Sequence, residues 1–254
     1  ISDPDLVRKL IEGRPQDIRP CVGANLCIAQ GMASKSIRCI HNPMTGRDAS
    51  WGDLSPTDAP KNVTVIGGGP AGLEAARVAA ERGHRVTLFE ASSDIGGQLA
   101  IWSKAPMTQE FRKTLNWYKI QLTQLQVHVR TGQRLTPKDV AVLDTNVLIL
   151  ATGAIPKKPL LIATGSDAIP VIDPWQAIAD SPTGKHILIN DEGGGRAALS
   201  AADALLDQNR ITLVTAEYAI GELVTPTVRA PIYKRFLTGK VVMHPSQEIH
   251  AIVG

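Results

Sequence analysis

Three glycines at Gly-x-Gly-x-x-Gly spacing carry the clearest chemical signal in this chain. Gly67, Gly69 and Gly72 follow the apolar segment Val63–Ile66 and open a stretch rich in alanine. A loop of this kind between a strand and a helix can bind the pyrophosphate of a dinucleotide, because its amide groups and the helix N-terminus favour negative charge. We predict that Gly67 permits a tight turn, that Gly69 lets the backbone approach the pyrophosphate, and that Gly72 allows close helix–strand packing.

An acidic residue and a second strand complete this nucleotide-binding pattern. Glu90 ends the predicted strand Arg85–Phe89, 18 residues after Gly72, where a carboxylate can accept hydrogen bonds from an adenosine ribose. Pro70 and Ala71, which precede the third glycine, also belong to the predicted cofactor site. The glycine spacing alone would fit an ordinary loop, but strand, loop, helix and acid together predict a dinucleotide-binding βαβ unit.

Strands and helices alternate from residue 61 onward, which predicts an α/β fold with Rossmann-like, doubly wound parallel sheets of the FAD- or NAD(P)-binding type. We expect a loop-rich cysteine segment at 1–60, an FAD- or ADP-binding domain at 61–170 and a second nucleotide-binding-like domain at 171–254. The 254 residues are 43% apolar and 20% charged, with a formal net charge of +3. This composition predicts a cytoplasmic protein without a membrane span and disfavours nucleic acid as a partner.

A second unit repeats the order of the first. It comprises the predicted strand His186–Asn190, a glycine turn, the helix Arg196–Asp207 and the strand Ile211–Thr215. When the first strands of the two units are matched, Asp191 takes the place of Gly67 and Arg196 that of Gly72. A match of the second strands gives other pairs, which are Glu192 with Gly67, Ala197 with Gly72 and Thr215 with Glu90.

Both alignments place a carboxylate at the turn where a pyrophosphate would lie. Because like charges repel, we predict that the nicotinamide nucleotide site of the second unit is weak or lost. The alternative is a divergent NADPH site in which Arg196 or Arg210 meets the 2′-phosphate.

All three cysteines, Cys21, Cys27 and Cys39, lie in the first 40 residues. An odd number argues against a disulfide framework, and grouped thiolates favour metal or iron–sulfur ligation. On spacing alone, three free structural thiols are an equal alternative. The histidines are scattered, and His41 differs from the others because it lies two residues from Cys39.

The cysteine segment and the residues after it resemble the iron–sulfur segment of the 2,4-dienoyl-CoA reductase and trimethylamine dehydrogenase family. The resemblance continues through the glycine loop, Gly96–Leu99 and Leu150–Gly153, and it covers essentially the whole chain. Members of this family join an FMN-bearing barrel to a [4Fe–4S] segment and two nucleotide-binding domains. The run Cys-Val-Gly-Ala-Asn from Cys21 is similar to the branch that demethylates N-methylated amino acids.

The resemblance implies roles for individual residues. The first glycine loop would hold FAD or ADP, with Gly97 and Gln98 near the cofactor and Ala151, Thr152 and Gly153 at the mouth of the site. In the simpler reading, Gln98 is a polar loop residue and the other three form a tight exit from a strand.

The same resemblance makes Cys21, Cys27 and Cys39 three of the four ligands of the cluster. The fourth ligand position falls on Ala24, which has no ligating atom. A cluster would then need water, a non-cysteine ligand such as Asn25 or His41, or the loss of one iron. The alternative is that the cluster is absent and only the fold of the segment survives.

The function implied by the resemblance is that of the electron-transfer portion of a flavin-dependent oxidoreductase that oxidatively demethylates N-methyl amines. FMN would lie in a barrel outside this chain, in cis or on a separate subunit. An electron-transfer flavoprotein and a second copy of the chain are further expected partners. Two other functions stay open: an NAD(P)H-dependent reductase of the dienoyl-CoA type, and a non-catalytic ADP-binding structural or docking domain. We identify no catalytic acid or base in this chain.

Overall fold

The computed structural model describes residues 1–51, 54–157, 162–164 and 169–253. The chain forms two compact units. The first comprises Ile1–Ala100 and Glu110–Ala154, and the second comprises Ile101–Gln109 and Ile155–Gly254. None of the helices in the described ranges is long and apolar enough to cross a membrane.

The first unit is built on a four-stranded parallel sheet with the strand order β3–β2–β1–β4. Its elements, in chain order, are α1 (Leu6–Ile11), α2 (Leu26–Met32), α3 (Asp48–Trp51), β1 (Asn62–Ile66), α4 (Pro70–Glu81), β2 (Arg85–Phe89), α5 (Gln98–Trp102), α6 (Phe111–Gln124), β3 (His128–Arg130), α7 (Pro137–Ala141) and β4 (Val147–Leu150). The last two residues of α5 belong to the second unit. Residues 1–60, expected to be rich in loops, contain three of these helices, all of them short.

Burial explains why these residues form a central strand and a covering helix. The middle of β1 is a continuous buried run, as is typical of a parallel strand with both faces covered. Helix α6 buries Phe111, Leu115, Tyr118 and Leu122, the stripe that its sequence spacing predicts. The helix begins at Phe111, after the separate 3₁₀ turn Pro106–Thr108.

The second unit contains a three-stranded parallel sheet, β6–β7–β8, and a two-stranded parallel sheet, β5–β9. Its elements, in chain order, are β5 (Ile162–Thr164), α8 (Pro174–Asp180), β6 (His186–Asn190), α9 (Arg196–Leu205), β7 (Arg210–Val214), α10 (Pro226–Thr238), β8 (Val242–His244) and β9 (Ala251–Val253). Its core is centred on Leu199, Ile211, Leu213 and Phe236, all of which are almost fully buried. Both units therefore have the parallel α/β architecture that the sequence predicts, and the fold class is confirmed.

Candidate functional site

Gly67 forms the turn between β1 and α4, and its conformation requires a glycine. Its φ is +111°, and a Cβ atom there would lie 2.2 Å from the carbonyl oxygen of Ala151. The Gly67 N–H donates to the Phe89 carbonyl at 2.8 Å, and the Ala151 N–H donates to the Ile66 carbonyl at 2.8 Å. Phe89, at the end of β2, and Ala151, after β4, thus fix the turn on both sides. The structure has the tight turn expected at Gly67.

The other two glycines of the motif have contrasting surroundings. A Cβ atom at Gly72 would lie 1.9 Å from the Gly67 carbonyl oxygen, so the close packing of α4 requires a glycine. Gly69 is the N-cap of α4, and a Cβ atom there would meet no described atom within 4 Å. The backbone at Gly69 therefore borders open space at the N-terminus of a helix that starts with Pro70 and Ala71, where an anion is favoured.

Glu90 connects the end of β2 to the glycine loop. Its Oε2 accepts a hydrogen bond from the Gly68 N–H at 2.6 Å, and its Oε1 accepts one from the Ser92 N–H at 2.7 Å. Burial raises the pKa of Glu90, but the surrounding N–H donors outweigh this effect, so the pKa lies below its ordinary value. Glu90 is an ionised carboxylate beside the loop. The contact with Gly68 could not be read from the sequence, because Gly68 is an unspecified position of the motif.

Gly97, Gln98 and the segment Ala151–Gly153 also lie near the loop. A Cβ atom at Gly97 would lie 3.2 Å from the Cα of Gly69, and the Gln98 Nε2 donates to the Ala154 carbonyl at 2.6 Å. Ala151 contacts the loop as described above, whereas the next two residues, Thr152 and Gly153, are exposed. The structure thus brings the predicted cofactor residues of the first unit to one edge of its sheet.

The glycine-rich loop of the second unit is longer than that of the first. Asp191–Gly195 separates β6 from α9, whereas Gly67–Gly69 separates β1 from α4. The Asp191 N–H donates to the carbonyl of Val214, the last residue of β7, at 2.8 Å. Asp191 therefore stands where Gly67 stands in the first unit.

The structure combines the two alignments that the sequence allowed. The strand registers place Thr215 at the position of Glu90, and Gly195 caps α9 as Gly69 caps α4. Counted from these caps, Ala198 is the equivalent of Gly72. The pairings of Arg196 and Ala197 with Gly72 are therefore wrong, because the second loop has two more residues before its helix.

The two arginines considered for a 2′-phosphate lie in different surroundings. Arg210 is the first residue of β7 and so lies at the end of the strand away from the glycine loop. The Arg196 guanidinium is 5.6 Å from the centroid of the Trp102 ring, and burial lowers the pKa of Arg196. The position of Arg210 disfavours a role at an NADPH site, whereas Arg196, the first residue of α9, follows the second loop directly.

Comparison with known proteins identifies the family. The model of a family described as pyridine nucleotide-disulphide oxidoreductase matches residues 26–105 and 61–254. The chain belongs to the pyridine nucleotide-disulphide oxidoreductase family. It is 36% identical over 261 residues to N,N-dimethylglycine/sarcosine dehydrogenase from Chromohalobacter salexigens. The aligned region covers 99% of this chain and 38% of the relative.

Two further relatives of this oxidoreductase chain extend the comparison. NADH oxidase from Thermoanaerobacter brockii is 32% identical, with 95% of this chain and 39% of the relative covered. The structure of 6-hydroxypseudooxynicotine amine oxidase from Pseudomonas geniculata N1 superposes with a TM-score of 0.89 and 28% identity, over 99% of this chain and 40% of that one. The chain thus spans about two fifths of the length of these relatives. The resemblance to the C-terminal part of the trimethylamine dehydrogenase and dienoyl-CoA reductase family is confirmed.

The cysteines of the oxidoreductase chain are free thiols. Cys21 is exposed, and Cys27 and Cys39 are partly buried. Across the described residues, no three His, Cys, Asp or Glu side chains form a group that could hold a metal ion. Ala24 is buried and offers no ligating atom. The residues present therefore do not fit a cluster held by four thiolates, and iron binding by the three cysteines stays a prediction.

His41 is buried beside the cysteine segment. Its backbone nitrogen lies 3.4 Å from the Cys39 Sγ, and its ring Nδ1 lies 3.1 Å from the Pro20 carbonyl oxygen. Burial lowers the pKa of His41 to about 4, so the ring is neutral. Its Nε2 has no hydrogen-bond partner among the described atoms.

A buried ionic network holds the cysteine segment against the nucleotide fold, and sequence reasoning missed it. The Arg19 guanidinium donates to the His41 carbonyl at 2.6 Å and lies 3.3 Å from the Glu74 carboxylate. Glu74 also pairs with Arg77 at 2.9 Å and accepts a hydrogen bond from the Tyr118 hydroxyl at 3.1 Å. The only local signal was a charged pair three residues apart on α4, which is more often an exposed pair.

Proposed function

We propose that the first unit binds FAD or ADP as the electron-handling part of a flavin-dependent oxidoreductase that demethylates N-methyl amines. The observation that carries this proposal is the state of the first glycine loop. Gly69 borders open space at the start of α4, while the ionised Glu90 lies beside the same loop. These are the two groups that the diphosphate and the ribose of an adenine dinucleotide need.

Each predicted residue then has a binding role. The loop Gly67–Gly72 and the N-terminus of α4 receive the diphosphate, and Glu90 accepts hydrogen bonds from the ribose hydroxyls. Gly97 keeps the backbone free of side-chain atoms near Gly69, and Gln98 holds the segment that follows β4 through its bond to the Ala154 carbonyl. When bound, FAD supplies the redox chemistry, and this chain orients it and sets its electrostatic environment.

The substrate class rests on similarity to N,N-dimethylglycine/sarcosine dehydrogenase. FMN and the substrate would meet in a barrel, in cis or on a separate subunit, and this proposal agrees with the share of the relatives that the chain spans. Helix α1 supports a docking role, because Val7 is 65% exposed and Ile11 is 82% exposed. Apolar side chains on one short helix are stabilised by contact with another protein surface.

No step of this proposal uses an iron–sulfur cluster, because Ala24 stands at one ligand position and the thiols are not grouped. The prediction that Cys21, Cys27 and Cys39 ligate iron has its own test. Iron that stays bound in the full-length protein should protect all three thiols from a thiol reagent, and a chelator should expose them. Without iron, Cys21 should react first, since it is the exposed thiol.

One observation favours a second function, a reductase driven by NAD(P)H. The relative from Thermoanaerobacter brockii is named an NADH oxidase. Anaerobic addition of NADH would bleach the flavin of such an enzyme, whereas a demethylase without a nicotinamide site would keep its flavin oxidised. We expect no bleaching, because Asp191 stands at the turn of the second loop.

The decisive experiment releases the bound nucleotide from the full-length protein and identifies it. We expect FAD or ADP in the parent protein and about tenfold less of it in Gly69→Val, whose side chain would occupy the diphosphate space. A Cβ atom at Gly69 meets nothing within 4 Å among the described atoms, so we expect the variant to fold, and its thermal unfolding checks this. Gly195→Val is the matched control, since Gly195 caps α9 in the same way.

The two variants separate binding at the first loop from a general effect on folding. A parent protein that releases no adenine nucleotide would contradict the proposal. Equal loss of nucleotide from Gly69→Val and Gly195→Val would contradict the assignment to the first loop. Retention of ADP without flavin would favour the non-catalytic docking domain over the redox role.

A further inference from the structure

The Asp191 side chain lies inside the second glycine-rich loop rather than in solvent. Only 4% of the residue is exposed, although it follows a strand that ends at the edge of the sheet. Its Oδ2 accepts a hydrogen bond from the Gly221 N–H at 2.8 Å. The backbone N–H groups of Gly193, Gly194 and Gly195 act on the same carboxylate and lower its pKa. The carboxylate thus accepts a hydrogen bond from the segment after β7 and is also influenced by the amides of its own loop.

The backbone of Asp191 is fixed as firmly as its side chain. Its N–H donates to the Val214 carbonyl at 2.8 Å, and its carbonyl accepts a hydrogen bond from the Thr215 hydroxyl at 2.8 Å. Thr215 is fully buried. These two bonds fix the backbone of Asp191 at the end of β7.

The glycine amides that act on Asp191 are those that bind a phosphate in an open loop of this type. Amides at the start of a helix, together with the helix dipole, attract one negative charge. In the first unit the corresponding cap, Gly69, borders open space. In the second unit the N–H of the cap, Gly195, acts on a carboxylate of the chain itself and lowers its pKa. Burial raises the pKa of Asp191, and the glycine amides act against that rise.

We propose that Asp191 is a built-in anion that occupies the phosphate position of the second loop and excludes the diphosphate of a nicotinamide dinucleotide from this unit. Asp191 is then the specificity-determining residue that limits the chain to one dinucleotide, held by the first unit. The second unit keeps the nucleotide fold and uses its anion-binding amides to stabilise its own loop.

The cavity beside the loop supports this assignment. It has a volume of about 320 Å³, and its lining residues include Glu192 and Glu248 together with Asn190 and His250. No lysine or arginine is among its lining residues in the described part of the chain. An additional phosphate, such as the 2′-phosphate of NADPH, would meet negative charge there, so the surroundings strengthen the exclusion.

The test measures binding of NADH and of inorganic pyrophosphate to the full-length protein and to three variants. Asp191→Gly and Asp191→Ala both remove the built-in anion and the side-chain atoms that fill the phosphate position. Glu192→Gln is the matched control, because it changes the net charge equally in the same loop but its carboxylate contacts only the Asn190 side chain in the described structure. We expect no saturable NADH binding to the parent protein, and about tenfold tighter pyrophosphate binding to both Asp191 variants than to Glu192→Gln.

Each outcome decides the proposal. Saturable NADH binding to the parent protein, or folded Asp191 variants that bind pyrophosphate no better than Glu192→Gln, would overturn it. If Asp191→Gly does not fold, Asp191→Ala decides alone, with its thermal unfolding as the check on folding. None of these substitutions touches the first loop, so the content of FAD or ADP measures the proposed function separately.

Discussion

The two glycine-rich loops share a strand–loop–helix topology and differ in what their amide groups bind. In the first unit, Gly69 borders open space and the neighbouring carboxylate, Glu90, reaches the loop from the next strand. In the second unit, the carboxylate of Asp191 comes from the loop itself. It accepts a hydrogen bond from the Gly221 N–H, and the glycine amides of the loop lower its pKa. The same fold can therefore leave its anion-binding position open or fill it. The difference is whether the carboxylate belongs to the residue after the second strand or to the loop itself.

The next strand shows the same contrast. Glu90 and Thr215 occupy equivalent positions, and both contact the loop of their unit. Glu90 can exchange its bond with Gly68 for bonds to a ligand, because its second oxygen stays anchored to Ser92. The Thr215 hydroxyl is fully buried and is used within the protein. The two loops therefore differ in the open space at the helix cap, which the first unit has at Gly69.

The largest effect is expected at the third glycine of the first loop. Gly72→Ala places a methyl group 1.9 Å from the Gly67 carbonyl oxygen, so α4 must move away from the loop. We expect the first unit to lose about 3 kcal/mol of stability and its nucleotide to be released. Chemical denaturation followed by circular dichroism measures the stability, and heat release measures the nucleotide.

Ala198→Gly in the second unit is the reciprocal test. Ala198 occupies the equivalent helix position and its methyl group is packed in the core. We expect a loss of about 1 kcal/mol, with no change in nucleotide content. If Gly72→Ala cost no more than Ala198→Gly, the requirement for glycine in the first loop would be refuted.

Acid is expected to weaken the first unit through its buried network. Burial raises the pKa of Glu74, but its hydrogen bond to Arg77 and the nearby positive charges outweigh this effect, so the pKa lies below its ordinary value of about 4.5. A lowered pKa stabilises the fold above the pKa of the unfolded state. That contribution is lost as the pH falls below about 4.5 through the folded-state value.

Unfolding by urea between pH 7 and pH 3 measures this dependence. Glu74→Gln should flatten the acid limb of the stability curve and destabilise the protein at neutral pH, because Arg77 loses a buried partner. Glu81→Gln is the matched control, since Glu81 also pairs with Arg77 but its side chain is 42% exposed. An unchanged acid limb in Glu74→Gln would show that the network does not control acid stability.

A smaller effect is expected from Glu90, the residue that follows β2. Glu90→Gln removes the charge and leaves one acceptor oxygen, which can bond to the Gly68 or the Ser92 N–H but not to both. We expect about tenfold weaker retention of the adenine nucleotide and a loss of about 1 kcal/mol of stability. Thr215→Val should lose a similar amount of stability, about 1 kcal/mol, but keep its nucleotide content unchanged. Equal nucleotide retention by Glu90→Gln and the parent protein would contradict the ribose-binding role.

Local requirements explain what the sequence could predict. Gly67 and Gly72 are needed for a turn and a close contact within a few residues, so their spacing indicates the loop directly. The length of the second loop has no such signature. Asp191 and Glu192 are adjacent acids, and only the position of the glycine amides in space shows which one is buried in the loop.

The buried network shows a second limit of sequence reasoning. Arg19 lies 55 residues from Glu74, and no repeating pattern connects the two positions. The cysteine segment raises the same difficulty, because grouping in the sequence did not produce a group of three ligands among the described residues. Contacts between distant segments depend on the tertiary fold, which residue spacing does not encode.

The smallest effect is expected at Gln98, and it refines the comparison of the loops. Gln98 donates to the Ala154 carbonyl, which follows the segment beside the first loop, and its side chain is exposed. An exposed hydrogen bond contributes about 0.5 kcal/mol, so Gln98→Ala should lower nucleotide retention only about twofold. Gln121→Ala is the control, because it also removes one exposed side-chain hydrogen bond, from Gln121 to Gln124, both of which lie on α6. If Gln98→Ala lost as much nucleotide as Glu90→Gln, Gln98 would contact the cofactor directly. The open site of the first loop would then extend to α5, and its difference from the filled loop of the second unit would be larger.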